Sequence, residues 1–189
     1  MKKAAIFLLV IFFTSTFLGC LNHKSNNYKT GNDFSFITID GEKKHLHDYR
    51  GKVVILDLMG VSCKPCQYEM FELEKIFKNY SSEQIAIISI DVWATVNGET
   101  AQDVKYLKEA YEAYGIYLNW TFGIDDGFLW NNYVINGAVP SIYIFDQYGR
   151  VYFKHAGVTV FSEVPEWWPK NQPKPPILKP IIDDLLGEK

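Results

Sequence analysis

This sequence predicts an α/β domain in three layers, a central mixed sheet flanked by helices. Three observations carry that expectation. Two short runs rich in β-branched apolar residues, Val53–Leu58 and Ile85–Ile90, have the composition of strands buried on both faces. Segments with an apolar period near that of a helix alternate with them. A late pair of runs, Ser141–Phe145 and Val151–Lys154, is joined by Gln147-Tyr148-Gly149 and reads as a hairpin. Such alternation indicates parallel strands linked by crossover helices.

The chain has 189 residues, 48% of them hydrophobic, which suits one domain with a proper core plus extensions. Aromatic residues at 16% argue against disorder, and a net charge of −3 gives nucleic acid no attraction. The N-terminus reads as a signal peptide over residues 1–19: Lys2 and Lys3, then uninterrupted apolar Ala4 to Phe13. That run is short of the roughly 20 residues a spanning helix needs. It ends in Phe17-Leu18-Gly19-Cys20, which resembles a prokaryotic lipobox, although Phe17 stands where Leu is usual. The resemblance implies lipidation of Cys20 and a lipid-anchored domain on the extracytoplasmic face of the cell membrane. The alternative is an uncleaved anchor with an incidental Cys20. Without residues 1–19 the chain has 17 basic and 22 acidic residues, so an anionic lipid surface would repel it mildly.

Residues 20–31 are polar and Asn-rich, a flexible tether to a domain at 32–189. Phe34–Ile39 alternates loosely, and Asp40-Gly41 turns it into Lys43–His45, an N-terminal β-hairpin. Leu46 to Lys52 reads as a polar connection before the central strand. From Cys63 the spacing of Cys66, Met70, Leu73 and Phe77 marks one face of a helix reaching about Tyr80. After the second strand, Asn97-Gly98 turns and Thr100 is a candidate cap. Val104, Leu107, Tyr111 and Tyr114 then mark a second helix, part of a helical insertion. Trp120–Ile124 is a short strand, and Asp126-Gly127 precedes a short helix through Tyr133. Residues 164–180 hold six prolines with Trp167 and Trp168, an extended loop before a last helix at Ile181–Leu186. The two tryptophans either pack that loop down or dock a partner.

The chemistry gathers where the central strand ends. The chain has three cysteines; with Cys20 lipidated, Cys63 and Cys66 remain as one pair. A disulfide closing so short a loop constrains the unfolded chain little, so the pair is there for reactivity. Only a thiolate attacks a disulfide, and a helix N-terminus favours an anion through its dipole and unpaired N–H groups. Cys63 sits at that N-terminus beside Lys64 and is the expected exposed nucleophile. Pro65 is tolerated because first-turn N–H groups lack intrahelical partners. Cys66, under the same turn, is the expected buried resolving thiol. No cofactor beyond a redox-active Cys63–Cys66 disulfide is expected.

The strand, the Cys63-Lys64-Pro65-Cys66 motif and Val139-Pro140 followed by Ser141–Asp146 together resemble thioredoxin-fold proteins of the TlpA/ResA type. These are membrane-tethered thiol–disulfide oxidoreductases, and the resemblance spans about Phe34 to Leu186. It implies a thioredoxin-like fold, a cis Pro140 facing the dithiol, and a Val139 backbone that pairs with substrate. It also implies reduction of a protein disulfide, re-reduction by a membrane electron donor, and service to cytochrome c maturation. Two positions depart from the pattern. Ser62 replaces the usual Trp before the first cysteine, which removes an apolar lip. Asp57 stands where such proteins often carry Asn, and resembles the buried Asp of cytoplasmic thioredoxins that moves the resolving thiol's proton; the alternative is a hydrogen-bonded strand-end Asp. A Sco-like copper module on the same fold would space its cysteines one residue further apart and add a distal His, for which His155 is the only late candidate. A zinc site would have to recruit His23, His45, His47 or His155, which lack metal spacing. His45 and His47 read as solvated surface groups. A peroxidase would need a Thr ahead of its cysteine.

Overall fold

The computed structural model describes residues 33–187; the expected signal peptide, Cys20 and the expected tether lie outside the described residues. Among the described residues, seven strands form one mixed sheet in the order β2-β1-β5-β4-β3-β6-β7. The predicted hairpin is β1 (Ser35–Thr38) against β2 (Lys43–His45), and β1 joins the sheet antiparallel to β5 (Thr121–Ile124). At the centre, β3 (Val53–Met59) runs parallel to β4 (Ile85–Asp91) and antiparallel to β6 (Ser141–Phe145). The late hairpin is completed by β7 (Val151–Ala156).

Side chains alternate across a strand, so β3 feeds two cores. Val53, Ile55 and Met59 face a core built with α1 (Lys64–Asn79), α3 (Ala101–Glu112) and α5 (Lys179–Leu186). Val54, Leu56 and Leu58 face the other, with Phe34, Phe36 and α4 (Phe128–Asn132). Both faces of β3 are buried, as its unbroken apolar run requires. The face of α1 read from the sequence holds: Cys66, Met70 and Leu73 are buried. A short α2 (Ala94–Asn97) closes on Gly98 in the left-handed region, where glycine alone is unstrained. Thr100 then caps α3 in a reciprocal box with Asp103.

Three expectations need correction. Tyr114 is not core-facing but 85% exposed, because α3 ends at Glu112 and a turn through Gly115 (φ +76°) swings it out. The connection after β2 is not merely polar: Leu46–Tyr49 forms a 3-10 turn that buries Leu46 in the second core. The last helix begins at Lys179, with Pro180 in its first turn, where a missing N–H does no harm. Trp168 packs the Pro-rich loop, its indole N–H donating to the Pro173 carbonyl at 3.0 Å. Trp167 remains 63% exposed, edge-on to Tyr68. Among the described residues, no helix is long and apolar enough to cross a membrane.

Candidate active site

β3 ends at Met59, and the loop Gly60–Ser62 delivers Cys63 to the head of α1. Cys63 is the N-cap. Its backbone is extended and its Sγ accepts the Cys66 N–H at 3.2 Å, so the sulfur occupies the helix's anion position. Lys64 and Pro65 fill the first turn; the Lys64 ammonium turns away to the Gln67 amide oxygen at 3.2 Å. Cys63 and Cys66 are joined as a disulfide with Cα atoms 5.2 Å apart. Cys66 has no exposed surface and Cys63 only 5%. The order of exposure is the expected one, but Cys63 is more covered than a free nucleophile was expected to be.

Val139 and Pro140 are brought to this point from the start of β6, across the sheet from β3. Their peptide bond is cis, and the Val139 carbonyl lies 3.8 Å from Cys63 Sγ. Cys63, Cys66, Val139 and Pro140 therefore form one site, as the resemblance implied. A groove of about 710 Å³ flanks it, bounded by Lys64, Gln67, Tyr68 and Phe71 on α1 and by Leu107 and Tyr111 on α3.

Asp57 lies in the middle of β3, on the face shared with Ile55 and Met59 and covered by the dithiol helix. It is fully buried within the strand, and its carboxyl oxygens have no hydrogen-bond partner of good geometry. Burial pushes its carboxyl up to about 7; Ser89, opposite it on β4, offsets this only in part.

A second carboxyl, which sequence reasoning missed, joins Asp57. Glu69 is fully buried one turn after Cys66. Its Oε1 accepts the Thr159 N–H at 2.9 Å and the Thr159 hydroxyl, while Oε2 has no partner. Burial first, then the charge of Asp57, raise Glu69 well above the carboxylate range. Two carboxyls so close in charge do not both ionise readily, which leaves a proton-holding pair between β3 and α1. The signal was present: Glu69 falls three after Cys66 and four before Leu73, on the apolar stripe.

The described histidines lie elsewhere, and His23 lies outside the described residues. His45 and His47 stack with ring centroids 4.8 Å apart, and His47 Nδ1 meets Asp33 at 2.6 Å. Among the described residues this trio brings metal-capable atoms within 4.8 Å of one another, in the segment around β2. His155 sits on β7 opposite Ile142, its ring against Phe153.

Comparison with known proteins agrees with this geometry. The sequence pattern of the AhpC/TSA family matches residues 29–154. The chain is 30% identical over 132 residues to the thioredoxin-like protein YneN of Bacillus subtilis, covering 70% of this chain and 72% of that one. It is 30% identical over 122 residues to the thiol-disulfide oxidoreductase ResA of Geobacillus thermodenitrificans, covering 65% and 64%. The fold is also similar to that of a thiol-disulfide isomerase from Corynebacterium glutamicum, with TM-score 0.63 and 20% identity over 86% of this chain and 99% of that one. By its sequence and by the sheet that carries its cysteine pair, the chain belongs to the AhpC/TSA family and has the thioredoxin-like fold.

Proposed function

We propose that this chain is a thiol–disulfide oxidoreductase that reduces disulfides of protein substrates on the extracytoplasmic face of the cell membrane, anchored there by lipid on Cys20. The observation that carries the reading is the bonded Cys63–Cys66 pair at the head of α1, facing the Val139–Pro140 backbone. In the dithiol state, the Cys63 thiolate attacks one sulfur of a substrate disulfide and the other leaves as a thiolate. Cys66 then yields its proton to the Asp57–Glu69 pair and attacks Cys63 Sγ. The second substrate thiolate departs, and the two electrons stay with the substrate. A carboxyl titrating at about 7 accepts a thiol proton near neutral pH, which an ordinary Asp would not. Val139 offers backbone to an extended substrate segment, and Ser62 presents a small polar lip. A membrane dithiol donor restores the pair. Haem-binding cysteines awaiting cytochrome c assembly are one substrate class that would consume this activity.

The direction is tested by the potential of the Cys63–Cys66 couple, measured against glutathione or dithiothreitol buffers. A value near that of thioredoxin, about −270 mV, supports a reductant; a value near about −120 mV makes the protein an oxidant and overturns the reading. Location is tested separately. Cys20→Ala is expected to lose palmitate labelling and accumulate as an uncleaved precursor; unchanged labelling and processing would remove the lipid anchor.

A further inference from the structure

The loop that carries Cys63 is held by a residue outside its own helix. Glu99, in the link between α2 and α3, accepts the Val61 N–H at 2.6 Å through Oε2. Its Oε1 accepts the Ser62 N–H at 3.0 Å and the Ser62 hydroxyl. Three donors from the two residues before the nucleophile thus converge on one carboxylate. Neither N–H belongs to a strand or helix, since β3 has ended and α1 has not begun, so Glu99 supplies partners that regular structure does not. The rest of the loop is fixed as tightly. Gln67 donates to the Val61 carbonyl at 2.8 Å, and Gly60 lies so close to the Trp93 indole that a Cβ there would come within 2.4 Å of it.

Behind Glu99 stands Asp91, buried at the end of β4, with Oδ1 accepting the Trp93 N–H at 2.9 Å. Burial first, and then the charge of Glu99, push Asp91 up to about 7. The charge of Glu99 is thus felt at Asp91, whose Oδ2 has no hydrogen-bond partner.

We propose that Glu99 is a positioning residue for Cys63: it fixes the Val61–Ser62 backbone ahead of the nucleophile, and its charge restrains ionisation of the thiol. The assignment rests on the thiol–disulfide reading for its consequence in turnover. A carboxylate held on the two residues before a thiol disfavours the thiolate, and a less stable thiolate makes the dithiol the better reductant. Ser62 is then more than a lost apolar lip; it is the side chain through which Glu99 grips the loop.

The test uses the reduced full chain in detergent and reads Cys63 ionisation from thiolate absorbance and from the pH dependence of its alkylation. Glu99→Gln keeps the shape but removes the charge; it is expected to lower the midpoint of ionisation by about one pH unit. Ser62→Ala removes one donor, leaves the carboxylate less compensated, and is expected to move the midpoint the opposite way. Glu99→Ala releases the loop and is expected to lower kcat/KM for insulin disulfide roughly tenfold, with Glu99→Gln falling between it and the parent. Midpoints unchanged in Glu99→Gln and Ser62→Ala, with kcat/KM of the Glu99 variants within about twofold of the parent, would overturn the proposal. A parent that reduces no disulfide, while Glu99→Gln still shifts Cys63 ionisation, would instead remove the oxidoreductase reading and leave the charge effect standing.

Discussion

Cys63→Ser is expected to abolish catalysed disulfide reduction, and Cys66→Ser to stall it with substrate covalently attached. The two sulfurs are chemically alike, so the difference comes from place. Cys63 caps the helix, keeps the pair's only exposed surface and faces Val139, so only it can meet an incoming disulfide. Removing it leaves no accessible thiolate, a loss of roughly a thousandfold or more in insulin reduction with dithiothreitol. Cys66 is sealed from solvent and reaches only Cys63. Without it the first exchange proceeds and the second does not, so mixed disulfides accumulate and are recovered on non-reducing gels. Neither loss would be disguised unfolding. The bridge closes so short a loop that its removal costs about 2 kcal/mol by chain entropy. Equal insulin-reduction rates in parent and both variants would end the dithiol mechanism.

Asp57→Asn is expected to stabilise the fold at neutral pH while slowing turnover there. In the unfolded chain Asp57 releases its proton near 3.8; in the folded one burial holds that proton to about 7. Between those values the native state binds the extra proton, so the free energy of unfolding falls as pH rises and levels off above about 7. Glu69 acts in the same direction. The neutral amide avoids the penalty. Denaturant titrations of Asp57→Asn are expected to show a flatter pH profile and roughly 2–4 kcal/mol more stability at about pH 8. Turnover should suffer in the resolving step, because the Cys66 proton loses its acceptor, and the pH–rate profile should lose an inflection near neutrality. Parallel stability profiles and an unchanged pH–rate profile would remove Asp57 from the proton path.

What could be read from the chain divides along a physical line. Local periods were legible. The apolar run of Val53–Leu58, the stripe through Cys66, Met70 and Leu73, and the Thr100 cap all appear where spacing places them. Each depends on neighbours within a few residues. Glu69 and Glu99 were not legible, because a charged residue on a helix or in a loop ordinarily meets water. Their roles come from partners 90 and 38 residues away, Thr159 and Val61. Tyr114 misled for the converse reason: its spacing continued the α3 stripe after the helix itself had stopped. The pairing of β1 with β5 likewise depends on the closed sheet and on no local signal. The dithiol was the most legible feature, since two cysteines at that spacing beside a buried strand leave few chemistries open.

The central position of β3 has a consequence for proton traffic. From Val54 to Leu58 each residue is paired on both sides, with β4 and with β6. Amides so placed exchange with solvent only when the whole domain opens, and the strand does not breathe on the timescale of a catalytic cycle. Asp57, set in the middle of that stretch, has no route to bulk water through the sheet. Its electrostatic neighbour is Glu69 on α1, so a proton it receives is held between two buried carboxyls on the helix side of the sheet. The sheet gives that proton no exit, so resetting the acceptor falls to the α1 side of the core.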